Sequence, residues 1–197
     1  MKELPTDLRD YSGEFIPGLQ YENLSKDTLV SLLGEYARLL VAIDGMWNTV
    51  VAREVGPGKA LEWETEVWER HYDVELPRIA KILNIKGDDV LTVFKLLQFT
   101  PDGYATGGQW VAKIDVKGTN DVIFTITRCA TLEYFERHGE DVKTGGICGE
   151  GGLEEHALAK YAKFINPDIK IIPLKTPPRK SPDEIACQWE FKLEPKA

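Results

Sequence analysis

Three cysteines are the residues of this chain best suited to metal or nucleophilic chemistry. Residues 185–193 alternate strictly between apolar and polar side chains, which predicts a strand with one buried face, and Cys187 falls on the apolar side. Cys129 follows another alternating stretch, and Cys148 lies in a glycine-rich segment. If the three thiols meet in the core and His156 or a carboxylate joins them, they would be zinc ligands. The alternative, which needs no cofactor, is three reduced, buried and inert thiols.

The glycine-rich segment is the second candidate site, since five of residues 144–152 are glycine and a helix is expected from Leu153. Such a loop can turn N–H groups toward an anion, so Gly146 and Gly149 are candidate contacts for the anionic end of a ligand. Cys148 is the candidate nucleophile, because a nearby helix N-terminus lowers the pKa of a thiol, and His156 is its candidate partner. The alternatives are a loop that only connects two elements and a structural histidine.

Polar residues also interrupt two long apolar stripes of helical spacing. Asp44 and Trp47 lie in the first stripe, and Trp68 and His71 lie in the second. His71 and Glu75 are four residues apart, so their side chains can touch on a helix. We expect Asp44, Trp47, Trp68 and His71 to approach one another between the first two helices, and at least two of them to line a cavity against the sheet. The alternative is a solvated flank of charges beside an ion pair.

The order of predicted elements indicates an α+β fold. A first helix follows the cap residue Ser25 and ends at Gly56, a second runs over about 59–85 with Pro77 expected to kink or divide it, and a third precedes residue 101. A hairpin over 109–127, two helices, and strands over 168–174 and 185–193 follow. We expect N-terminal helices packed on a four-stranded antiparallel sheet, made of two hairpins with helices between them. Residues 1–23 would be an extended arm before one domain over 24–197, helical over 24–104 and sheet-containing over 105–197.

Composition excludes several classes of function. The net charge of −8 lacks the basic face that a nucleic-acid-binding protein needs. The chain contains no run of 18 apolar residues that could span a membrane. Its first residues also lack the apolar core of a signal peptide. We therefore expect a cytoplasmic protein with a small-molecule ligand and no nucleic-acid or membrane partner.

Several short motifs carry a resemblance to a known family. They are Ile43-Asp44-Gly45-Met46-Trp47, Cys129, Gly146-Ile147-Cys148, Ile165-Asn166-Pro167, Pro177-Pro178 and Cys187-Gln188-Trp189-Glu190-Phe191. Together they resemble an uncharacterised family of small proteins often labelled as similar to L-2-amino-thiazoline-4-carboxylic acid hydrolase. More remotely, the order of elements is similar to vinyl-4-reductase-type domains, which implies a small-molecule-binding α+β module, in some cases with zinc held by cysteines. Those relatives often carry two further cysteines where this chain has Pro173 and Thr176.

These observations lead to one leading function and two alternatives. The leading expectation is a small-molecule-binding domain with a buried, cysteine-lined pocket between helices and sheet, to which Trp189 on the closing strand contributes. The first alternative is a cysteine-dependent hydrolase that cleaves a C–N bond of a small amide or thiazoline carboxylate. The second is a structural or partner-binding protein, and the sequence also leaves a homo-oligomer open.

Overall fold

Two long helices form the N-terminal half of the molecule, a computed structural model that describes residues 4–103 and 109–194. Helix α1 (Lys26–Val55) begins at Ser25, whose side chain accepts a hydrogen bond from the N–H of Thr28. Helix α1 ends at Gly56, where φ is 86°, and α2 (Pro57–Ile82) starts at the next residue. The predicted cap and the predicted stop are therefore both confirmed.

Proline at position 77 does not divide α2, which continues through it to Ile82. Of the two expected effects of Pro77, a kink or a division of the helix, the division does not occur. Proline removes the hydrogen bond to the carbonyl four residues earlier. That carbonyl belongs to Asp73, which is exposed and can bind water instead.

The remaining elements build one antiparallel sheet with helices beside it. Helix α3 (Val90–Leu97) precedes the hairpin of β1 (Trp110–Gly118) and β2 (Asp121–Cys129). Then come α4 (Ala130–His138), α5 (Asp141–Lys143), a π-helical turn (Thr144–Cys148) and α6 (Leu153–Ile165), and a hairpin of β3 (Lys170–Lys175) and β4 (Cys187–Lys192) closes the fold. The strand order is β1-β2-β4-β3, so β2 and β4 join the two hairpins in the centre. The predicted α+β fold, with two hairpins and helices between them, is confirmed.

The core lies between the inner face of the central strands and the helices α3 and α6. Cys187, Trp189 and Phe191 are buried while the residues between them are only half-buried, as the alternation predicted. The rings of Phe94 on α3 and Phe191 on β4 meet at 4.8 Å in an edge-to-face arrangement. This packing fixes β4, and with it Cys187, against the helical layer.

An irregularity in the β1–β2 ladder brings Cys129 to the core. Val111 pairs with Arg128, but the next residue, Ala112, pairs with Ile126, so one residue of β2 is passed over. Such a bulge reverses the side-chain alternation beyond it. Cys129 is therefore buried like Ile126, although unbroken alternation along β2 would place residues 126 and 129 on opposite faces.

Helix α1 packs chiefly against α2 and leaves much apolar surface exposed. Its buried residues are Gly34, Ala37 and Asn48, whereas many of its leucine, isoleucine, methionine and aromatic side chains face outward. None of the helices in the described parts of the chain has the length and apolar character needed to cross a membrane.

Candidate functional site

A cavity of about 720 Å³ lies between α1, α2, β1, α4 and the beginning of α6. Its wall is largely apolar and aromatic, with Trp68, Tyr72 and Trp110 among the lining residues. Asp44 and Glu64 add carboxyl groups from α1 and α2. Of the four residues expected to approach one another here, at least two of which were to line a cavity, Asp44 and Trp68 line this one.

The Asp44 and Glu64 side chains form a hydrogen-bonded carboxyl pair between the two helices. Burial raises the pKa of Glu64 to about 8, and the neighbouring Asp44 contributes to this rise, while Lys143 opposes the shift. Burial also raises the pKa of Asp44. Hydrogen bonds from Glu64 and Trp68 to Asp44 act in the opposite direction and lower this pKa. Glu64 therefore holds a proton at neutral pH and can donate it in a hydrogen bond to Asp44.

Asn48 on α1 forms a hydrogen bond with Glu64 of this pair. Its Nδ2 atom donates to Glu64 Oε2 over 2.6 Å, and both side chains are buried. Since Asn48 contacts Glu64 and Asp44 contacts Trp68, α1 and α2 run antiparallel at this point. The hydrogen bond fixes one oxygen of Glu64 and so orients its carboxyl group beside Asp44.

A second acidic group, Asp102, is buried deeper in the wall. Both of its carboxyl oxygens accept hydrogen bonds from tyrosine hydroxyls, over 3.2 Å from Tyr72 and 2.9 Å from Tyr161. Burial, and then the charge of Asp102, raises the pKa of both Glu75 and Glu154 to about 8. The carboxyl groups of Glu75 and Glu154 are therefore largely protonated at neutral pH.

The expected contact between His71 and Glu75 is present, with Nε2 and Oε2 3.5 Å apart. The His71 ring also meets the edge of Trp68 at 5.3 Å. His71 thus supports a cavity residue rather than lining the described cavity itself.

Trp47 does not take the place that was expected for it. It is 42% exposed and is not part of the described cavity wall. It precedes the buried Asn48 by one residue, which on a helix rotates its side chain by about 100° away from the packed face. The expectation that Trp47 would join Asp44 in the pocket is wrong.

The three cysteines do converge, around a small void beside the main cavity. Cys129, Cys148 and Cys187 line this void of about 20 Å³, and Trp110 and Glu154 form a wall that it shares with the large cavity. Burial is the largest cause that raises the pKa of all three thiols, to about 11 for Cys129 and well above the ordinary value for Cys148 and Cys187. In the described ranges, no three His, Cys, Asp or Glu side chains are arranged to hold a metal ion.

Cys148 is not activated in the way that its position near a helix suggested. It lies in the π-helical turn, where burial and then the neighbouring Cys129 and Glu154 raise its pKa well above the ordinary value. His156 is half-exposed and pairs with Glu69 of α2, with Nδ1 and Oε1 3.7 Å apart. The pKa of Cys148 is therefore raised by burial, whereas a helix N-terminus was expected to lower it.

The glycine-rich loop uses its N–H groups internally. Gly149 donates to the carbonyl of Gly145 and Gly152 to that of Gly149, while Gly151 donates to Glu155 Oε2 over 2.8 Å. Gly146 packs so closely on α2 that a methyl group there would overlap Leu61. The expectation that Gly146 and Gly149 would meet a ligand's anionic end has no support in this geometry, because close packing explains both glycines.

Trp189 is part of the core rather than of the described cavity wall. It is fully buried, and its Nε1–H donates to Cys187 Sγ over 3.2 Å. The expectation that it would contact a ligand is therefore wrong for the large cavity, and its observed partner is the cysteine cluster. This cluster consists of Cys129, Cys148 and Cys187.

Three polar residues of this region escaped the sequence reasoning. Asn48 lies one helical turn after Asp44, and that spacing could have identified it. Asp102 lies between Pro101 and Gly103, and nothing local distinguishes a buried aspartate from a turn aspartate. Lys143 lines the cavity from the end of α5, with its Nζ 3.6 Å from Glu140.

The fold and this site define an α+β domain with a large, partly open cavity bounded by acidic and aromatic residues. A family model described as a family of unknown function, DUF6125, matches residues 22–193. The chain belongs to that family. No curated protein and no solved structure matches it.

Proposed function

We propose that this protein binds a small molecule in the cavity between α1, α2 and the sheet. The observation that carries the proposal is the cavity itself: its volume of about 720 Å³ and its mainly apolar wall with few polar groups are typical of ligand sites. Trp110 Nε1 and Glu154 Oε1 support it, because each is buried on the shared wall without a hydrogen-bond partner within the described residues. Unpaired buried polar atoms are uncommon away from functional sites.

The charge of the wall favours a ligand with an organic cation, such as a protonated amine. Asp102 already accepts two tyrosine hydroxyls, and the cations of the wall have carboxylate partners, Glu35 for Arg38 and Glu140 for Lys143. The Asp44–Glu64 pair is the acidic group of the wall that combines a negative charge with a transferable proton. A cation placed there would stabilise the doubly ionised pair, and the faces of Trp68 and Trp110 would add cation–π attraction.

Two fluorescent probes test the proposal. Monodansylcadaverine carries an aromatic group and a primary amine, and dansylamide carries the same aromatic group without the amine. We expect saturable binding of monodansylcadaverine that is at least about tenfold tighter than that of dansylamide. Equal affinities would show a binding cavity without preference for cations, and no binding of either probe would contradict the proposal. Native mass spectrometry of the purified protein, before and after denaturation, would identify a ligand retained from the cell.

The cysteine cluster favours a second candidate function, a cysteine-dependent hydrolase of a C–N bond in a small amide or thiazoline carboxylate. Cys148 lines the small void, which Trp110 and Glu154 separate from the ligand cavity. A substrate in the cavity would reach a thiol if these two side chains moved aside. The raised pKa of Cys148 weighs against this function. Zinc on Cys129, Cys148 and Cys187 stays a prediction, which elemental analysis of the purified protein tests: one zinc per chain would support it, and a metal-free protein would contradict it.

A further inference from the structure

Helix α1 carries a stripe of large apolar side chains that the rest of the described chain leaves exposed. Seven of these side chains are between 42% and 65% exposed. They are Leu33, Tyr36, Leu39, Ile43, Met46, Trp47 and Val50. A monomer rarely exposes so many large apolar groups together, and such a patch marks an interaction surface.

The spacing within the stripe fits pairing with another helix. Tyr36, Ile43 and Val50 follow one another at seven-residue intervals, and Leu39 and Met46 follow the first two of them by three residues. This is the a and d pattern of a heptad repeat, whose seam packs against a matching seam. The spacing of the stripe therefore favours a helix as its partner rather than a strand or a flat surface.

We propose that the partner is a second copy of this chain, with the two α1 helices antiparallel about a two-fold axis near residue 41. That residue is at the middle of α1, so the helices would overlap along their whole length. With this axis, Tyr36 faces Met46 of the partner subunit and Leu39 faces Ile43 of the partner subunit. The stripe is thus complementary to itself, which is what a symmetric dimer interface requires.

The size of the stripe agrees with this occupant. The exposed parts of the seven side chains amount to roughly 700 Å², close to the ~800 Å² per partner of a standard interface.

The dimer would also complete the ligand cavity. Met46 and Val50 belong both to the exposed stripe and to the cavity wall. A second α1 packed on these two residues would cover the edge of the cavity that α1 forms and keep water from it. Ligand affinity and dimer formation should therefore be linked, because each stabilises the same arrangement of α1.

Molar mass by light scattering after gel filtration tests the proposal, over a range of concentrations. We expect twice the chain mass of 22.2 kDa for the wild-type protein and one chain mass for Ile43→Lys. Ile82→Lys, at an exposed position of α2 outside the stripe, is the matched control and should stay dimeric. Circular dichroism of each variant checks that it is folded. A monomeric wild type, or a dimeric Ile43→Lys variant, would overturn the proposal.

A charge-swap experiment tests the antiparallel arrangement. Leu39→Glu should also be monomeric, but an equimolar mixture with Ile43→Lys should form heterodimers. In such a heterodimer the carboxylate introduced into one copy would face the ammonium group introduced into the other. A mixture that stays monomeric would contradict this register. Restored dimers should also bind monodansylcadaverine more tightly than the monomeric variants do.

Discussion

Asn48 on α1 donates its side-chain amide to Glu64 Oε2 on α2 over 2.6 Å, and both residues are buried. The bond joins the two helices at the floor of the cavity and holds the carboxyl group that shares a proton with Asp44. One polar contact thus has two effects, on the packing of α1 and on the charge of the ligand site.

Replacing Asn48 by Leu should destabilise the protein. The change leaves Glu64 Oε2 buried without its donor, which costs about 1–3 kcal/mol of the free energy of unfolding. Urea denaturation monitored by tryptophan fluorescence measures the loss. Ser31→Ala removes a hydrogen bond on the exposed side of the same helix and should change stability much less. Equal stabilities of the two variants would show that the Asn48–Glu64 bond contributes little.

Stability should fall as the pH rises from about 4.5 to 8. Glu64, Glu75 and Glu154 have pKa values of about 8 in the folded protein, against ordinary values of 4.5. Over that interval the folded state keeps protons that the unfolded chain has lost, so raising the pH favours unfolding. Urea midpoints at several pH values measure the slope, which Glu154→Gln should reduce. A midpoint that rises over this interval would contradict the raised pKa values.

Two neighbouring glycines give a matched test of packing in the π-helical turn. A methyl group on Gly146 would overlap Leu61 Cδ2, whereas a methyl group on Gly145 meets no described atom within 4 Å. Gly146→Ala should therefore destabilise the protein by about 1–3 kcal/mol, and Gly145→Ala should not. Thermal unfolding compares the variants, and Leu61→Ala should partly rescue Gly146→Ala. If both single variants lose the same stability, backbone freedom rather than close approach explains these glycines.

Thiol reactivity separates the binding function from the hydrolase alternative. Because burial raises the pKa of Cys129, Cys148 and Cys187, all three should react slowly with iodoacetamide at pH 6 and rapidly after unfolding in urea at neutral pH. Mass spectrometry of the labelled peptides assigns each rate. Fast labelling of Cys148 alone in the folded protein would instead support an activated nucleophile.

Local sequence patterns were sufficient to predict the fold, but they predicted only part of the candidate site. The alternation around Cys187, Trp189 and Phe191 is visible in the sequence and predicted the closing strand. Ser25 and Gly56 likewise predicted the two ends of α1. Asp44 and Trp68 could be selected as polar or aromatic residues on apolar stripes. Each of these signals lies within its own element, so no tertiary information was needed.

The remaining features depend on how the elements meet. The bulge that turns Cys129 inward arises from the register between β1 and β2, which neither strand encodes alone. Asp102 is buried because Tyr72 and Tyr161 reach it from two helices that are far apart in sequence. The raised pKa of Cys148 reflects burial by surrounding elements, and this outweighs the local effect of the helix terminus.

The central claim is that the Asp44–Glu64 pair recognises an organic cation, and the affinity of monodansylcadaverine for Glu64→Gln tests it most directly. Glutamine keeps the size and the hydrogen bond to Asn48 but cannot ionise. A bound cation would ionise Glu64 beside Asp44, so the variant loses this second charge and should bind roughly ten- to hundredfold more weakly at pH 7.5. The exposed Glu66→Gln variant should bind as the wild type does, and dansylamide should bind both variants equally. An unchanged affinity of Glu64→Gln for the amine would contradict the account.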